Sequence, residues 1–146
     1  MRAMRKLTIA LSLLIAASAY AAGPADEVRR AEIGFAKAFA DRDQAKFFAY
    51  VADDAHFLSA RRTMNNKAEV KEVWTSYFKD ATPPFRWEPD RVVVNARGDL
   101  GLSTGPIHDA AGKHIGNYSS IWQRQKNGAW RVIFDGPGAP VCEEKK

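Results

Sequence analysis

Two side chains of this sequence could form a proton-transfer pair. His56 lies in a short apolar run, and Asp135 ends the last apolar run, beside Gly136-Pro137-Gly138. An imidazole titrates near neutral pH, and a neighbouring carboxylate can charge and orient it, so the pair could move a proton on a bound molecule. The structural alternative is a wall histidine and an aspartate that fixes the turn after it. Catalysis requires both side chains in one cavity; opposite faces of a sheet exclude it. Metal chemistry is not expected: His56, His108 and His114 are far apart, without His-x-x-x-His spacing or a cysteine pair. No glycine-rich phosphate loop, serine nucleophile elbow or dinucleotide fingerprint is present, so no cofactor is expected. The glycines of "GDLGLSTG" belong to a strand, because no helix follows them. The single cysteine, Cys142, can form no internal disulfide and is a free thiol or an intermolecular partner.

A second group could bind rather than react. Most of the aromatic residues fall on helix or strand faces and would pack a core. Tyr118, Trp122 and Trp74 could instead line a cavity for an apolar or aromatic molecule, with the phenol O–H and indole N–H orienting it.

These residues need a scaffold. Asp26 can cap a first helix over 26–41, with Val28, Ala31, Phe35, Ala38 and Phe39 on one face. Asp43 caps a short second helix carrying Phe47, Phe48 and Val51, which Asp53-Asp54 ends. A short strand follows over 55–59. Asn66 and Glu69 form a capping box for a third helix with Val70, Val73, Trp74, Tyr77 and Phe78 on its apolar face. After Pro83-Pro84 the pattern is β: strands over 85–95, 100–108, 114–126 and 129–135. Pro89 implies an edge or a bulge in the first of them. Asn127-Gly128 is a two-residue hairpin signal between the last two. Helices followed by strands mean an α+β fold, with helices on one face of a mostly antiparallel sheet.

The order of elements resembles the cone-shaped fold of nuclear transport factor 2 and ketosteroid isomerase. "FADRDQAKFFAYVADDAHFLS" is similar to that superfamily's helix–turn–helix–strand opening, and "NYSSIWQRQKNGAWRVIFDG" to its closing hairpin. The nearest resemblance is to the exported, domain-of-unknown-function branch of the SnoaL-like group, over about residues 26–136. It implies three N-terminal helices packed on a curved sheet that encloses an apolar pocket. Strand alternation puts Tyr118, Ser120 and Trp122 on one face, and the resemblance implies that this face points inward. Matching to the isomerase puts Ser59 at its carboxylate base, Phe35 at its donor tyrosine and Ser120, or a neighbour, at its acidic donor. None can do that work, so the isomerase mechanism is rejected. The ligand-binding residues implied are Tyr118, Ser120, Trp122, Trp74, Phe35 and His56.

The start of the chain reads as a secretory signal over 1–22. Arg2, Arg5 and Lys6 precede an apolar run from Leu7 to Ala17, and Ala19-Tyr20-Ala21 is a small-x-small cleavage pattern. The run is shorter than the ~20 apolar residues that span a bilayer. A periplasmic or secreted protein is expected, with a single domain over 23–146: a core of about 26–136 and a tail over 137–146. Loss of Arg2, Arg5 and Lys6 takes the formal charge from +5 to +2, and no basic run suggests nucleic acid. The expected function is binding of a small apolar or aromatic molecule, with no membrane or nucleic-acid partner. The alternatives are an isomerase- or cyclase-type pocket enzyme using His56 and Asp135, and a module that dimerises through the outer sheet face.

Overall fold

The computed structural model describes residues 22–140. The signal segment through Ala21 and Cys142 lie outside the described residues. Helix α1 (Pro24–Ala40) starts two residues earlier than expected. Pro24 sits in the first turn, where its missing N–H is no loss, and Asp26 accepts from the Gly23 N–H at 3.2 Å instead of capping the helix itself. Helix α2 (Gln44–Ala49) is capped by Asp43, whose carboxylate accepts from Lys46 N at 2.9 Å. Between them Arg42 takes a left-handed turn (φ 62°). Its guanidinium covers the Phe39 and Phe78 rings and bonds the carbonyls of Phe39, Tyr77 and Asp80. Helix α3 (Lys67–Trp74) has the expected Asn66 cap and runs on as a 3-10 turn over Thr75–Phe78.

Strand β1 (Val51–Leu58) begins where the second helix was expected to continue. Asp53 and Asp54 do not end an element. They lie, both exposed, inside an irregularity of the β1–β7 pairing between Val51 and His56, which lets a strand carry adjacent acids into water. A two-residue strand, β2 (Thr63–Met64), pairs with β1 and was too short to show as a pattern. The expected strand over 85–95 is divided at Pro89 into β3 (Phe85–Trp87) and β4 (Arg91–Val94), both antiparallel to β5 (Leu100–Asp109). Strands β6 (His114–Arg124) and β7 (Trp130–Pro137) complete the sheet, ordered β2-β1-β7-β6-β5-β3. Among the described residues only β1 and β7 run parallel. The β6–β7 connection is not a two-residue turn: Gly128 N donates to Gln125 O, Gln125 N to Ala129 O, and only Gly128 takes a positive φ (84°). That is a type I turn closed by a glycine bulge.

The core lies between the helices and the inner sheet face. Phe35 stacks on Phe47 with ring centroids 4.4 Å apart and meets Trp122 edge-on at 5.8 Å. Helix α1 comes close because the inward residues of β5 are small: Gly101, Ser103 and Gly105 are all buried. A Cβ at Gly101 would stand 2.7 Å from Val28 Cγ2. The outer face carries a registered row, Val93–Leu102–Ile121–Phe134–His56, across five strands. Val93, Leu102 and Phe134 in it are 39–45% exposed. The architecture is the α+β cone: helices against a curved, open, mostly antiparallel sheet.

Candidate functional site

The inner face carries a matching row, Phe57–Asp135–Ser120–Ser103–Val92, also one residue from each of five strands. Its centre is polar. Ser120 Oγ donates to Asp135 Oδ2 at 2.6 Å, and Ser103 Oγ lies 2.9 Å from Tyr118 Oη. Helix α1 lowers Glu32 onto this row, with no exposure to solvent. Trp87 Nε1 donates to Glu32 Oε1 at 2.8 Å, and Trp122 Nε1 to Oε2 at 2.7 Å. The Ser103 and Ser120 hydroxyls stand near enough to favour the ionised carboxylate too. Burying an isolated carboxylate costs several kcal/mol. Two charge-assisted bonds, each worth about 1.5–3 kcal/mol, offset much of that. Glu32 and the two tryptophans therefore stand or fall together.

Burial still shifts the titrating groups. Desolvation raises the Glu32 carboxyl above the ordinary carboxylate range, against the pull of the two indoles. Asp135 is pushed up to about 7, first by burial and then by the charge of Glu32, with the Ser120 hydrogen bond opposing. Tyr118 is raised by burial and by the Glu32 charge. Two carboxyl groups raised by burial, set among three hydroxyls, make a polar centre inside an aromatic shell. Perturbed groups of this kind gather at functional sites.

Beside this centre opens a cleft of about 530 Å³. Gly105 and Tyr118 are part of its lining, with Glu88, Pro89, Asn117 and Ala139 around them. The Tyr118 hydroxyl is held in the buried network by Ser103.

The residues expected to bind are thus separated. Tyr118 lines the cleft. Ser120 and Trp122 are fully buried in the network behind it. Phe35 is 1% exposed and packs as core. Trp74 sits in an aromatic cluster with Phe39, Phe47 and Phe57, at centroid distances of 5.9, 5.1 and 5.7 Å. His56 is turned outward, its ring stacked on Phe134 at 5.3 Å. The register makes this unavoidable: His56 pairs with Phe134 on the outer face and Phe57 with Asp135 on the inner one. The proposed His56–Asp135 acid/base pair is therefore corrected; a sheet stands between the two. His56 is also corrected as a pocket residue, and Phe35 and Trp122 as cavity walls, since other side chains fill the space they face. Ser59 is exposed and occupied in a turn, its hydroxyl 2.9 Å from the Arg62 carbonyl. The His108 and His114 rings approach to 5.6 Å, and among the described residues no three His, Cys, Asp or Glu side chains gather as a metal site.

Glu32, Ser103 and Trp87 were not anticipated. Glu32 had a signal: it falls at i+4 from Val28 and i−3 from Phe35, in the middle of the buried stripe of α1. Ser103 alternates with Gly101 and Gly105, so its face was legible once that of the glycines was known.

Comparisons with known proteins agree with this architecture. The chain is 25% identical to an NTF2-like protein of unknown function from Pseudomonas putida KT2440, with a TM-score of 0.63 over 82% of this chain and 89% of that one. A ketosteroid isomerase-like protein from Erwinia carotovora atroseptica SCRI1043 shares the fold at 20% identity and a TM-score of 0.58, over 80% of this chain and 97% of that one. An NTF2-like protein of unknown function from Shewanella oneidensis MR-1 does so at 11% identity and a TM-score of 0.64, over 77% and 97%. No curated protein matches the chain. The SnoaL-like domain family matches residues 28–134, most of the chain's length. The chain belongs to the SnoaL-like domain family.

Proposed function

We propose that this domain binds a small organic molecule of apolar or aromatic character in the cleft lined by Tyr118. One observation carries the reading: Tyr118 lines the cleft while its hydroxyl is tied to Ser103, beside buried Glu32. An aromatic surface held rigid from behind loses little freedom on binding, which favours affinity. The rim offers His114 and Asn117, hydrogen-bonded to each other at 3.0 Å, to orient a polar group on the ligand. The signal pattern before residue 22 adds that binding takes place in the periplasm or outside the cell. Amino-terminal sequencing of protein from an envelope or secreted fraction tests that placement; a chain still beginning at Met1 contradicts it. The binding reading is tested by titrating small aromatic and apolar molecules into the labelled protein. Amide shifts should centre on Thr104, Asn117 and Tyr118. Shifts centred elsewhere, or none from any molecule, contradict it.

A second reading is favoured by the outer row. Val93, Leu102, Ile121 and Phe134 form a continuous apolar stripe on a sheet face, a surface suited to a second copy of this chain. The two readings are compatible, because the stripe and the cleft use different faces. Sedimentation velocity across a concentration series separates monomer from dimer.

A further inference from the structure

The three residues Glu88, Pro89 and Asp90 join β3 to β4 and cross over Gly105, which has no side chain to obstruct them. On one side is the Tyr118 cleft. On the other is a second cleft, also about 530 Å³, lined by Ile33, Trp87 and the α1 surface. Glu88 and Pro89 are walls of both. The Trp87 and Tyr118 rings lie 6.4 Å apart, so the crossing segment divides spaces whose linings already meet beneath it. The crossing is held at few points. Arg29 of α1 donates from Nη1 to Pro89 O at 3.0 Å and from Nη2 to Asp90 O at 3.2 Å. Asp90 N donates to Thr104 O at 3.0 Å. Glu88 and Asp90 are exposed, and Pro89 has no N–H to add a further bond.

We propose that Glu88–Pro89–Asp90 is a strap latched by Arg29, and that its release joins the two clefts into one chamber with Trp87 and Tyr118 in its lining. Arg29 stands one helical turn before Glu32, so the residue that holds the strap and the carboxylate behind the chamber share one rigid element. Use of the chamber by a ligand rests on the binding reading above; the opening does not, and it is measured without a ligand. The probe is the Trp87 indole N–H, whose bond to Glu32 lies behind the strap. The Trp130 indole, bonded to Glu27 Oε2 at 2.9 Å near the start of α1, is the internal control. Arg29→Ala removes two charge-assisted bonds and should speed hydrogen exchange of the Trp87 indole about tenfold or more relative to Trp130. Gly105→Ala leaves Arg29 in place but sets a Cβ against the Glu88 carbonyl, and it should speed the same proton selectively. Should Arg29→Ala fail to fold, Arg29→Gln, with one amide donor in place of the fork, carries the same expectation. An unchanged Trp87 rate in folded variants overturns the proposal, as does equal acceleration of Trp87 and Trp130, which marks general destabilisation.

Discussion

Glu32 is the residue on which the interior depends. Its oxygens accept one indole N–H each, so removing them strands two buried donors and leaves a void. Glu32→Ala should destabilise the fold by about 3 kcal/mol or more, read by chemical denaturation. Glu32→Gln keeps the shape but sets an N–H₂ group against one indole, and should lose about 1–3 kcal/mol. Asp135 gives the pH dependence. Its folded value, about 7, lies above its ordinary 3.8, so the folded state holds a proton that the unfolded chain releases between those values. That stabilisation is full below the ordinary value and is lost as pH rises through about 7. Thermal stability should therefore fall between pH 5 and 8, by an amount on the order of 2–3 kcal/mol, and Asp135→Asn should flatten the profile. A slope of opposite sign contradicts the assignment. The site is hardest to read at this scale, because a glutamate is so rarely buried that its place in an apolar stripe does not by itself mark it as core. Asp135 was legible as a candidate, but that His56 faces away from it was not, since the irregularity in the β1–β7 register decides which face each takes.

Among the elements, β5 sets how close α1 can come. The Cβ of Gly101→Ala meets Val28 and should cost about 1–3 kcal/mol, because neither the helix nor the strand can give way alone. Gly128 holds a left-handed position with open space around it, so Gly128→Ala should cost about 1 kcal/mol from backbone conformation without any clash. Both are read from denaturation midpoints. Sequence located these elements well where a periodic pattern was long. The apolar face of α1, the Asn66 cap and the strands beyond Leu100 all stood near their expected places. It failed where a tertiary partner decides. Asp53 and Asp54 look like a break until β7 is there to pair around them, and Thr63–Met64 becomes a strand only against β1. The Pro89 interruption was visible as a bulge, but nothing local showed that Arg29 reaches across from α1 to hold it.

For the whole molecule, the two faces of one sheet have opposite characters. The inner row is polar at its centre and mostly buried, while the outer row is largely apolar and open to solvent. If the outer row joins two copies, Phe134→Asp should abolish concentration-dependent association in sedimentation and leave the folded monomer intact, since Phe134 is 44% exposed and contributes little to the core. Dimer retained in that variant would place the interface elsewhere. Binding at the Tyr118 cleft is the central claim, and Ala139 offers a way to block it: it is exposed, it lines the cleft, and a larger side chain there displaces no core residue. The most direct test is native mass spectrometry of wild type and Ala139→Trp, each purified from the producing cell's envelope. The expected result is a bound small molecule on the wild type that is absent from the variant. The same adduct on both proteins, or none on either, would contradict the claim.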